Sequence, residues 1–216
     1  MSARQFKETA ANADIASVRK LLKNCEVDDL QMAAANGDKK EVGKLLRKRA
    51  IIQKLRDRNV NKADRASIEK MLTERLDINV GTGGLGNALH AASFKIDPAL
   101  QRNNDSNEKR LEIIRLLIEN GANINKETGM HGTALIAASN AGNEDIVQLL
   151  LEEGADPNAN GRKFANALQG ATAGGHVKIV ELLIKNGANL EGKVLQDTLE
   201  MASDRGYMPI VKCRMW

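Results

Sequence analysis

A phrase that the chain repeats limits its fold more than any other feature. NALHAASFK begins at Asn87, TALIAASNAGNEDIVQLLLEEGADPN at Thr133 and NALQGATAGGHVKIVELLIKNGANL at Asn166. Thr133 to Asn166, Gly142 to Gly175, Asn123 to Asp156 and Asp156 to Asn189 are each 33 residues apart. Asn87 to Thr133 is 46, the same period lengthened by 13 residues at DPALQRNNDSNEK (97–109). A fixed period of this length means one small structural unit copied along the chain.

Each copy reads as two helices. Asn87, Thr133 and Asn166 are good N-caps for a short first helix, because their side-chain oxygens accept from free N–H groups. Ala91, Ala92, Ala137, Ala138 and Ala171 follow, small enough to let neighbouring helices approach. The second helix carries a wide apolar face. Its residues are Ile113, Ile114, Leu116, Leu117 and Ile118 in one copy and Ile146, Val147, Leu149, Leu150 and Leu151 in the next. Ile179, Val180, Leu182, Leu183 and Ile184 match them in the third. Gly121, Gly154 and Gly187 fall where a left-handed residue ends the helix. Asn123, Asp156 and Asn189 then open a turn into the following copy. No copy can bury its apolar face alone, so the copies must stack.

The wording and period resemble the ankyrin-repeat family, and the N-A-L phrasing is similar to arrays common in filamentous fungi. The resemblance implies an all-α solenoid of stacked helix-turn-helix pairs with short β-hairpin fingers. It covers 81–190 strongly and the flanks weakly. MAAANGDKKEVGKLL (32–46) fits a helix pair well, ETAANADIASVRKLL (8–22) and ADRASIEKMLTERLDIN (63–79) moderately, and LEMASDRGYMPIVKCRM (199–215) reads as a further, incomplete copy that breaks off inside its second helix. The expected organisation is one continuous array of about seven units. Degenerate pairs occupy 1–80, well-formed repeats 81–190 and an incomplete capping repeat 191–216. The family's helix-opening Pro is replaced by Ala88, Ala134 and Ala167, and its His by Ile136 and Gln169, leaving only His90. Threonine–histidine bonding between copies is therefore not expected.

The stretch GTGGLG (81–86) is a literal G-x-G-x-x-G. A dinucleotide site needs a hydrophobic strand before it and a βαβ unit around it. The charged IEKMLTERLDIN precedes it instead, so the glycines are expected to bend a finger. Catalytic material is sparse. His90 is expected to bond a neighbouring loop, His131 to meet solvent or a partner at a fingertip, and His176 to be structural. The spacing of these three matches no zinc pattern. No catalytic residue, cofactor or metal site is expected. Cys25 and Cys213 have no C-x-x-C partner and read as reduced thiols, pointing to the cytoplasm or nucleus. No apolar run is long enough to span a bilayer.

Aromatic residues make up only 2% of the chain, which argues for a thin aliphatic core. Charge is unevenly spread. Residues 39–75 hold thirteen Lys or Arg against five Asp or Glu, a local balance of +8 in a chain of net charge +4. Lys39, Lys40, Lys44, Arg47, Lys48, Arg49, Lys54, Arg56 and Arg58 form the densest part. Three readings stay open: a solvated helix face, a patch for an acidic protein segment or import receptor, and a nucleic-acid surface. The last is disfavoured because 39–75 contains no aromatic residue to stack on bases.

The resemblance implies a monomeric, non-catalytic scaffold that binds a protein partner through fingertips and the groove of first helices. The residues at those positions are Lys126, Met130, His131, Arg162, Lys163 and Phe164, with Phe94 and Asn140 from first helices. Met130 and Phe164 are the strongest candidates, since large apolar groups at exposed tips are unusual unless something covers them. The alternative is that each packs on the adjoining finger. The 13-residue insertion is expected to be polar and mobile, away from the fingers.

Overall fold

A computed structural model describes residues 29–56, 77–81, 83–94, 104–208 and 210. Within them the main elements are helices joined by turns: α1 (Asp29–Ala35), α2 (Lys39–Arg56), α3 (Ala88–Ser93), α4 (Asn104–Glu119), α5 (Ala134–Ala141), α6 (Glu144–Glu152), α7 (Ala167–Gly174), α8 (Val177–Lys185) and α9 (Gly192–Asp204). The short first helices α1, α3, α5, α7 and α9 stack in one row, and the second helices α2, α4, α6 and α8 form a row beside them.

The caps work as the sequence implies. The side chains of Asn87, Thr133 and Asn166 accept from the N–H of His90, Ile136 and Gln169 at 2.9, 3.3 and 3.0 Å. Gly121, Gly154 and Gly187 end their helices at φ of +87°, +89° and +86°. Between the rows lies one continuous aliphatic core. Ile113, Ile114, Leu117, Ile146, Val147, Leu150, Ile179 and Leu183 are completely buried, as are the interhelical alanines 91, 92, 137, 138 and 171. Burying each large aliphatic side chain contributes about 1.5–3 kcal/mol, so this layer dominates stability.

Polar groups set the register at both ends of each pair. At the loop end, Asn79, Asn125 and Asn158 form a ladder. Their side-chain oxygens accept from the backbone N–H of Asn123, Asp156 and Asn189 in the following copy, at 2.6, 2.8 and 2.6 Å. Their amides donate to the carbonyls of Gly121, Gly154 and Gly187. Glu191 stands at the next rung in place of Asn. At the other end, Arg110, Asn143 and His176, which are 33 residues apart, reach back to carbonyls that end first helices. Asn143 donates to Ser93 at 3.0 Å and His176 Nε2 to Asn140 at 3.2 Å. The Arg110 guanidinium donates to Ala92, Phe94 and Ala35, tying two copies together. Arg49 similarly donates to the Asn120 carbonyl at 2.8 Å. Exposed pairs Lys39–Glu112, Arg115–Glu153 and Lys178–Glu144 cross successive second helices and add little each.

Three expectations change. The pair at 29–56 packs directly on the pair at 88–119. The units expected at 8–22 and 63–79 lie outside the described residues, except that Asp77–Asn79 forms the loop opening the Asn ladder. The insertion is helical from Asn104 onward, lengthening α4 to 16 residues against 9 in α6 and α8. A polar run extends a helix once the buried turns beyond it supply the nucleus, and Asn107 then donates to Asp145 at 2.6 Å. In the terminal copy, expected at 191–216, the first helix α9 starts at Gly192, and Gly206 follows at φ +72°. Finally, no strand forms among the described residues. The finger after α4 is a turn closed by a single antiparallel bridge, Thr128 to Gly132. Glycines at its base are required by space: a Cβ on Gly86 would lie 2.9 Å from the Gly129 nitrogen, and one on Gly129 would lie 2.9 Å from the Gly86 nitrogen.

Replacing Thr133 by Ala removes one cap and should lower unfolding free energy by about 1 kcal/mol in urea titrations. Arg110→Met, which strands three carbonyls, should cost about 2–3 kcal/mol. Arg110→Lys should recover only part of that, because one ammonium cannot span three acceptors.

Candidate functional site

Fingers and first helices meet along one edge of the stack, and most of the candidate residues gather there. The His131 ring lies 4.6 Å from Phe94, 5.7 Å from His90 and 6.2 Å from Phe164, centroid to centroid. Lys163 Nζ sits 5.2 Å above the Phe164 ring. This line of rings crosses three copies and uses two of the three phenylalanines in the chain. Aromatic stacking adds to area burial when rings are held at such separations.

The exposure of His131 corrects the sequence reading. It is buried, with 2% of its surface exposed, because rings from the flanking copies close over it. Phe164 and Phe94 are half-buried in the same stack, so Phe164 does pack on the adjoining finger. Met130 alone among the apolar fingertip candidates remains open, 53% exposed. Its backbone N–H donates to the Gly84 carbonyl at 3.2 Å, and the Arg162 N–H donates to the His131 carbonyl at 3.3 Å, which joins consecutive fingers. Lys126, Arg162 and Lys163 are exposed around Met130's edge of the stack. Asn140 is half-buried and occupied structurally: its amide donates to Gly170 and its carbonyl accepts from His176.

His90 and His131 are structural groups whose burial favours the neutral ring. His90 Nδ1 lies 2.7 Å from the Leu85 carbonyl, which can only accept, so the proton is on Nδ1. His90 Nε2 and His131 Nδ1 are then buried with no hydrogen-bond partner among the described residues. Protonating either ring would bury a charge without an acceptor. Burial, followed by His90 and Lys163, depresses the His131 pKa to about 4. Burial lowers that of His90 as well, opposed by its bond to Leu85. Where the family's His is missing, Gln169 substitutes: its Oε1 accepts from the Ala165 N–H at 3.0 Å, tying helix to finger as His90 does. No threonine–histidine bond joins copies at His90, whose ring bonds Leu85 instead.

The basic run divides. Arg49 turns inward onto Asn120, and burial lowers its pKa against the raising effect of Asp77. Lys39 pairs with Glu112 at 2.6 Å and Lys44 with Glu41 at 3.0 Å. Lys40 and Arg47 are exposed, and Lys48 is half-buried. The side chains of Lys54 and Arg56, and all of Arg58, lie outside the described residues. Among the described residues no group of three or more His, Cys, Asp or Glu is placed to hold a metal ion. No described helix is long and apolar enough to cross a membrane.

Sequence reasoning missed Arg110 and Asn143. Their signal was a side-chain N–H donor recurring at 110, 143 and 176, hidden because the three residue types differ.

Helix pairs stacked in two rows and joined by short turns define a repeat solenoid. The family model described as Ankyrin repeats (3 copies) matches residues 61–161 and again 103–194, together more than half of the chain. The chain belongs to the ankyrin-repeat family. Ankyrin repeats in general are non-catalytic modules that mediate protein–protein interaction. Among curated proteins none matches the chain.

Because both histidines are held neutral in the folded chain, acid should weaken the fold. For His131, above about pH 6.5 neither state is protonated and its full contribution is present; as pH falls from 6.5 towards 4, the unfolded chain protonates at this residue before the folded chain does, and the lowered pKa of His90 acts in the same direction. The urea midpoint should therefore hold steady above neutrality and decline below it. His131→Phe should flatten the part of that decline between pH 6.5 and 5, before carboxylates titrate.

Proposed function

We propose that this chain is a protein-binding scaffold whose contact surface is the finger edge centred on Met130. The supporting observation is the contrast within that edge. Its rings are packed against one another, while Met130 stands open, and Lys126 on its own finger and Arg162 and Lys163 on the next are exposed as well. A methionine is a tolerant apolar anchor, able to fit partners of different shape. The rigid stack beneath it means that little ordering entropy is lost when a partner docks. The cations at the rim steer an approaching surface and set its orientation more than they add affinity.

Carrying a photo-crosslinking amino acid at position 130 in cells should yield a protein adduct. The same group at Glu181, exposed on the second-helix row, should not yield that adduct. Met130→Ser should leave helical circular dichroism and melting temperature nearly unchanged, as an exposed substitution does, and weaken the crosslinked partner's binding by about tenfold or more. Equal crosslinking from both positions, or undiminished binding by Met130→Ser, would remove the fingers from the interface.

A further inference from the structure

The second-helix row carries a feature unrelated to the fingers. Between α2 and α4 runs an open groove of about 860 Å³. Its floor is apolar, formed by Leu46, Ala50 and Leu116, and its rim is cationic, with Lys40, Arg47 and Lys109. Asp38, the one acid among its lining residues, already uses a carboxylate oxygen to cap the Glu41 N–H at 3.0 Å. Lys39 is matched by Glu112. Lys40 and Arg47 face no carboxylate among the described residues.

Gly43 gives a second, independent indication. It lies inside an 18-residue helix, where glycine costs about 1 kcal/mol relative to alanine. Nothing packs against it: an added Cβ would meet only the end of the Arg47 side chain, at 3.9 Å. Neither a positive φ nor a close backbone approach calls for glycine at this place. What its missing side chain does is leave the groove floor open.

We propose that this groove docks an acidic, leucine-bearing segment of a partner protein, at a site separate from the fingers. The volume admits two or three side chains of a short segment. Leucines would cover Leu46, Ala50 and Leu116, and carboxylates would answer Lys40 and Arg47. Nucleic acid fits this place poorly, because the floor is aliphatic and no ring lines it to stack a base. The proposal does not depend on the finger reading, and its test uses different residues.

The test uses the full chain and a fluorescein-labelled peptide with leucines at helical spacing and glutamates elsewhere, read by fluorescence anisotropy. The peptide should bind, more weakly as salt rises. A version with serine for leucine should lose on the order of tenfold or more in affinity. Lys40→Glu with Arg47→Glu should reduce binding by a similar factor. Gly43→Leu, which fills the floor, should reduce it too, while Gly43→Ala should raise the melting temperature and show that the helix tolerates a side chain there. Crosslinking from position 130 should be unaffected by all of these changes. The proposal fails if the peptide does not bind, if the serine version binds equally, or if the groove variants bind as well as the parent. It also fails if a single-stranded oligonucleotide or an anionic vesicle, rather than the peptide, shows the dependence on Lys40 and Arg47. Sedimentation that reveals a dimer abolished by the charge reversals, with no peptide bound, would assign the groove to a second copy of this chain instead.

Discussion

Every part of this molecule depends on a helix pair being unable to hide its apolar face without the next pair. Ile113, Ile114 and Leu117 on α4 and Ile146, Val147 and Leu150 on α6 are all fully buried, yet each set belongs to a helix of which half faces outward. The burial comes from neighbours in the stack. Association between copies is thus driven by area, which has no direction, and the polar bonds at either end supply the direction. The Asn ladder fixes the loop end, while Arg110, Asn143 and His176 fix the other. Each contributes about 1 kcal/mol, far below the apolar layer, but a slipped register would leave buried carbonyls without donors. The small terms therefore select the arrangement that the large term stabilises.

That division of labour leaves surface positions free to vary. Residues that hold copies together keep their chemistry from one period to the next; residues of the finger edge occupy equivalent positions but change in type. At the position of His131, one period on, stands Phe164, and at that of Phe94 stands Asn140. The ring stack uses this freedom to extend the rigid core outward into the fingers, so that Met130 is presented from a packed base instead of a loose turn. Neutral histidines serve there because a ring can stack while one nitrogen anchors a loop carbonyl, as His90 does on Leu85.

The legible part of the fold was whatever repeats. Caps at Asn87, Thr133 and Asn166, glycines at 121, 154 and 187 and the aliphatic faces all follow from one copy and recur in the next, so a period exposes them. GTGGLG was expected to bend a finger on the same ground, since the period aligns Gly86 with Gly132; its described residues hold a short helical turn at Gly83–Leu85. What escaped was set by contacts between unlike copies. His131 looks exposed from its own turn, and only the rings of Phe94 and Phe164, 37 and 33 residues away, bury it. The carbonyl-binding donors escaped because arginine, asparagine and histidine do one job at one position, and identity-based comparison cannot see a shared N–H. The end of the insertion that the structure describes, 104–109, was misjudged from polarity alone, which says nothing about a segment continuous with an already nucleated helix.

The two faces of the array are also linked through one residue. Arg110 holds carbonyls of α1 and α3 in the first-helix row, and it sits on α4 beside Lys109, on the wall of the groove in the second-helix row. One of its acceptors, Phe94, carries the ring that stacks on His131. The position of α4 against α2, and with it the width of the groove, is therefore set from the inner layer by a side chain whose partners are backbone atoms. Backbone carbonyls at helix ends move only if the helices move. The groove and the finger edge are in consequence two surfaces joined through α4 and the single packed core between the helix rows.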